Sequence, residues 1–137
     1  MKEAAESGSS ALAGLRQAGL AYVKFALRRP EHFTVMFDAP ASQPSEKICF
    51  NPAKMKIKYP EAAEAAEESF RTLMALVEAC QRERVMPAGD TKALALLAWS
   101  MVHGIAKLAI TGRFPFSSQK EILGFAEYVI ENSLPTI

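Results

Sequence analysis

Residues 98–112, AWSMVHGIAKLAITG, decide the reading of this chain. Nearly every position is apolar or small, which predicts a helix apolar almost all round that must be covered on most sides by the protein or a partner. Trp99 and His103 are four apart, hence one turn apart on the same side, with Ser100 and Lys107 near that stripe. Gly104 follows in the middle of the helix. Glycine there costs about 1 kcal/mol against alanine, so its presence implies a close neighbour, either another backbone or an enclosed ligand. Asp90 is placed to cap this helix, which runs to about Thr111 and is closed by Gly112.

Along the same helix Ala95, Ala98, Val102, Ala106 and Ala109 form a strip at steps of three and four, where another helix axis can approach closely. A last helix starts near Ser117 or Ser118, with Glu121 as capping-box partner, and ends near Asn132. Ile122, Phe125, Ala126, Val129 and Ile130 give it a matching face. One domain of this size has too few helices to cover both faces, so an isologous pairing with a second copy is expected to bury the excess. The plain alternative is that both faces pack inside one chain.

Upstream, Ser9 or Ser10 can cap a helix over about residues 10–28, whose apolar positions are Leu12, Leu15, Gly19, Tyr22 and Ala26. Pro30 opens a short helix that stops at Asp38, with Phe33, Met36 and Phe37 on its buried side. Residues 39–59 carry Pro40, Pro44 and Pro52 without a sustained period and are expected to form a long loop. Pro60 then opens EAAEAAEESFRTLMALVEACQRER, in which Ala63, Ala66, Phe70, Leu73, Val77 and Cys80 mark one face. MKIKY at 55–59 alternates but is too short for a confident strand. The expected fold is all-α, about five helices, with a polar remnant at 1–9 and one domain over 10–134.

Composition agrees with a single folded domain. A chain of 137 residues buries roughly two thirds of its unfolded surface. Hydrophobic residues make up 50% and charged ones 23%, too apolar for a disordered chain. A net charge of +1 leaves no basic excess to neutralise a row of phosphates. Cys49 and Cys80 stand outside any C-x-x-C pairing, which suits free thiols and a cytoplasmic location. The longest unbroken apolar run, ALALLAW at 93–99, falls short of the ~20 residues that span a bilayer.

Catalytic chemistry finds little support. There is no G-x-S-x-G elbow, Gly-rich phosphate loop or H-E-x-x-H, so no enzyme and no metal site is expected. His32, the second histidine, completes no metal set legible in the sequence. Large adaptable side chains are dense where the helices should converge: Phe25, Phe33, Met36, Phe37, Phe70, Met74 and Trp99. Such residues are ordinary core, and they also suit a cavity that accepts several shapes. Trp99 as stacking wall, His103 as switchable donor or acceptor, and Phe33, Met36, Phe70 and Met74 as lining form the expected ligand site. No cofactor is expected; the rival readings are a helical haem protein with His103 as ligand and a module that only dimerises.

AYVKFALRRPEHFTVMF at 21–37, followed by WSMVHG at 99–104, resembles the C-terminal domain of the tetracycline-repressor (TetR) family, in the subclass named for its Trp-x-x-x-His-Gly motif. Here those residues are Trp99, His103 and Gly104, and the order of elements matches over nearly the whole chain. The resemblance implies an all-α domain that forms a homodimer through its last two helices and holds a small-molecule effector. It also implies control of an N-terminal helix-turn-helix domain that reads DNA. No helix-turn-helix precedes the matching region in this chain, so DNA reading is expected only through a domain absent from it.

Overall fold

The computed structural model describes residues 10–38 and 60–137, with side chains apart from those of 35–38, 60–63, 65 and 66. The expected remnant at 1–9, the loop at 39–59 and the side chain of Met36 lie outside the described residues. Among the described residues there are five helices and no strand: α1 Ser10–Arg28, α2 Pro30–Asp38, α3 Pro60–Arg82, α4 Thr91–Ile110 and α5 Gln119–Ser133. The fold is all-α.

The punctuation is local chemistry. Pro30 and Pro60 each open a helix where the missing N–H costs nothing. Asp90 caps α4 by accepting from the Ala93 amide at 3.1 Å. Ser118 caps α5, accepting from the Glu121 amide at 3.2 Å, while the Glu121 carboxylate accepts from the Ser117 hydroxyl and amide, each at 2.8 Å. Those two Ser117 bonds hold the Glu121 carboxyl below its ordinary value. α4 ends at Ile110, and Gly112 takes the left-handed backbone (φ 69) that turns the chain away. α3 ends earlier than the run QRER suggests, at Arg82, and Arg84 takes the left-handed conformation (φ 60). Gln81 then staples the α3–α4 turn, donating to the Pro87 and Gly89 carbonyls and accepting from the Thr91 hydroxyl at 2.7 Å.

α1 is the central element, packed on α3, α4 and α5 and most extensively on α4. Val23, Val77, Cys80, Met86 and Ala95 form the innermost part of the main core, and Ala26, Phe33 and Ala106 a second cluster beneath α2. Cys80 is a free thiol there, its pKa raised by burial first and by nearby Glu83 next. After α5, Leu134 is buried in the main core and the Ile137 amide donates to the Val85 carbonyl at 2.9 Å, so the chain end clasps the α3–α4 turn.

Much of the strip expected at a dimer seam is covered within the single chain. Ala95, Ala98, Val102, Ala106, Ala126 and Ile130 are all buried within the single chain, and Ile122, Phe125 and Val129 are half-buried. The reason lies on α1. A Cβ at Gly19 would stand 3.2 Å from both Val102 Cγ1 and Ile130 Cδ1, so a glycine lets α1 settle against α4 and α5 and occupy the small-residue strip. Phe125 is turned instead into a ring cluster with Phe114 and Phe116, centroids 5.5 and 5.8 Å away.

The opposite face of α4 stays outward. Leu96, Leu97 and Leu108 are 41%, 43% and 45% exposed, Ser100 is exposed, and nothing described lies within 4 Å of a Cβ built on Gly104. The close neighbour that Gly104 implied is therefore not found among the described residues. α4 is also, by length and mean hydropathy of 1.7, long and apolar enough to cross a membrane, the one such helix among the described residues. Length and composition alone are weak evidence for that, because the core helix of a soluble protein has the same pattern, and the strip facing α1 is such a core contact.

Candidate functional site: an aromatic cleft between α1, α3 and α4

The polar centre of the molecule is built from three helices. Tyr22 comes from α1, one turn before Ala26, on the face turned toward α4. Trp99 and His103 come from α4, and the four-residue spacing stacks them on one side as the sequence predicts. The Trp99 indole N–H donates to the Tyr22 hydroxyl oxygen at 3.1 Å, and that hydroxyl lies 2.7 Å from His103 Nδ1. Indole is a donor only. With a neutral imidazole carrying its proton on Nε2, the chain runs Trp99 N–H to Tyr22 O–H to His103 Nδ1, an assignment that follows from the donor inventory.

Rings enclose this chain. Phe33 stacks on His103, centroids 5.3 Å apart and planes 28° apart, and meets Tyr22 edge-on at 5.7 Å and 84°. Trp99 stands edge-on to His103 at 6.2 Å and beside Phe70 at 6.1 Å. Burial pushes the Tyr22 phenol up to about 12, opposed by the hydrogen bond from Trp99. Tyr22 is therefore a neutral donor and acceptor throughout the physiological range.

Beside this cluster opens a cleft of about 620 Å³. Its wall takes Leu15, Gly19, Tyr22 and Phe25 from α1, Glu68, Phe70 and Leu73 from α3, Trp99 and Val102 from α4, and Ile130 and Leu134 from the end of the chain. This volume lies in the range of small-molecule sites, which are mostly apolar with a few placed polar groups.

Of the residues expected at a ligand site, Trp99 and Phe70 line the cleft. His103 and Phe33 do not; they adjoin Tyr22 and form its support. Met74 is half-buried against the main core and is likewise outside the lining. Tyr22, which joins wall to support, was grouped by sequence with the apolar stripe of its helix. Its signal was available: a phenol on a buried helix face needs a hydrogen-bond partner, and Trp99 and His103 supply a donor and an acceptor.

Comparison with known proteins places the chain. No curated protein and no solved structure matches it. The family model for the tetracyclin repressor-like C-terminal domain matches residues 15–131, a span that runs from within α1 to within α5 and includes Tyr22, Phe70, Trp99 and His103. Such domains are parts of regulators and not enzymes. With most of its length matched, this chain belongs to the tetracyclin repressor-like C-terminal domain family.

Proposed function

We propose that this domain senses a small, mostly apolar effector and dimerises, and that effector binding controls DNA binding by a helix-turn-helix domain outside these 137 residues. The observation that carries the reading is the cleft, with Trp99 and Phe70 in its wall and Tyr22 linking that wall to His103 and Phe33. A body entering the cleft meets Tyr22 and Trp99 directly, and through them the contact between α1, α2 and α4. For this to regulate anything, the effector must bind two arrangements of the dimer with different affinity. Trp99, His103 and Gly104 support assignment to the Trp-x-x-x-His-Gly subclass, and the buried thiol of Cys80 suits a reducing, cytoplasmic setting.

The dimer surface is the outward face of α4: Leu97, Ser100, Gly104 and Leu108 step by threes and fours, flanked by Leu96. On α5, Gly124 has open space beside it and Tyr128 is 64% exposed. Gly104 and Gly124 would let helices of two copies approach closely, a use that the described residues of the single chain do not make of them. A native mass spectrum of the purified domain tests both parts. The expected result is a two-chain mass with a discrete bound species that is lost on denaturation. A bare chain of 15.0 kDa at micromolar concentration overturns the dimer. A dimer that takes up no apolar compound from a diverse panel overturns the effector site.

A further inference from the structure

We propose that the cleft selects a lipophilic monocation: an apolar body with one shielded or delocalised positive charge. This rests on the cleft being the effector site and adds the sign of the effector's charge. Glu68 is the one ionisable acid in the described lining, and no lysine, arginine or histidine joins it there. Glu64, one turn earlier on α3, is exposed as well, and Arg71 follows three residues later on the same helix. Four rings, Tyr22, Phe25, Phe70 and Trp99, line the cleft as well, with the hydroxyls of Ser69 and Thr72 and the thioether of Met101.

Each class of ligand fares differently against that wall. An anion would enter beside Glu68 with no cation of the described lining to receive it. A ligand rich in hydroxyls would need several directed partners. The Trp99 N–H and Tyr22 hydroxyl already serve each other and His103, and the Thr72 hydroxyl donates to the Glu68 carbonyl at 3.0 Å. A neutral hydrocarbon gains burial alone. A lipophilic cation gains burial, the negative faces of the rings, and the carboxylate of Glu68. Tyr22, with its pKa near 12, contributes a neutral ring and no competing charge.

Trp99 is the sole tryptophan of the chain and lies in the wall, so its fluorescence reports on occupancy. The domain would be titrated with tetraphenylphosphonium, with tetraphenylborate as an anion of the same shape, and with neutral N-phenyl-1-naphthylamine. The expected result is saturable quenching by the phosphonium, binding at least about tenfold weaker for the borate, and a roughly three- to tenfold loss of phosphonium affinity in Glu68→Gln. The neutral probe should lose clearly less affinity than the phosphonium in that variant, and its circular dichroism should match the parent's because the side chain is exposed. Equal or tighter borate binding, or an unaltered phosphonium affinity in Glu68→Gln, overturns the charge assignment while the effector site stands. If none of the three probes alters Trp99 emission, the effector site falls with it.

Discussion

The two faces of α4 are both largely apolar and have opposite surroundings. On one, Ala95, Ala98, Val102, Ile105 and Ala106 are buried against the chain's own helices. On the other, Leu96, Leu97 and Leu108 remain more than two fifths exposed around Ser100 and Gly104. The apolar count of the helix does not decide which face is taken. A residue on a different helix does, because Gly19 removes the side chain that would hold α1 away from Val102. Hydrophobicity thus states how much surface needs cover, and shape states who covers it.

The contrast breaks most sharply with a charge. Ala106→Asp places an unpaired carboxylate at a fully buried position and should cost roughly 3–5 kcal/mol, a large share of a small domain's stability. Ser100→Asp, on the outward face, should change the unfolding free energy of the chain by no more than about 0.5 kcal/mol while dissociating the proposed dimer. Urea titrations followed by circular dichroism, with sedimentation velocity on the same samples, check both. Equal losses of stability from the two variants would erase the distinction between the faces.

A smaller effect sharpens the inward side at its polar exception. Tyr22→Phe leaves the Trp99 N–H and His103 Nδ1 without the hydroxyl they share and should cost about 2 kcal/mol near neutral pH. The phenol's folded value of about 12 lies above its ordinary 10, so its deprotonation opposes the folded state. The folded protein should therefore lose stability as pH rises from about 10 to about 12. Tyr22→Phe should flatten that part of the curve, and thermal melts at pH 7 and pH 11 read both terms.

The smallest expected effect compares two helical glycines. Gly104→Ala should raise the chain's own stability by about 1 kcal/mol, since its Cβ meets nothing among the described residues, and should weaken the proposed dimer, in which the glycine allows close approach. Gly19→Ala should gain much less, because its Cβ arrives at 3.2 Å contacts that must give. A dimer indifferent to Gly104→Ala would move the seam elsewhere.

Helix positions were legible because their signals are local: a proline at each of two openings, Asp90 and Ser118 as caps, and Gly112 at a close. Trp99 and Phe70 in the wall were legible as large rings at converging positions. Which strip of α4 the chain itself covers was not legible, for a physical reason. A helix apolar on all sides offers two candidate strips, and periodicity along α4 carries nothing about where α1 will press. Gly19 held that information but read as one more apolar position of its own helix. Tyr22 was passed over in the same way, since a stripe that ranks residues by hydrophobicity gives a phenol no separate weight from its ring.

The clasp at the chain end has a mechanical consequence. A pull on Ile137 is carried first by its hydrogen bond to Val85 and by the seating of Leu134, before any load reaches the backbone of α5. Tension applied there would be shared with the α3–α4 turn, and α5 would begin to unwind only after that anchor had slipped.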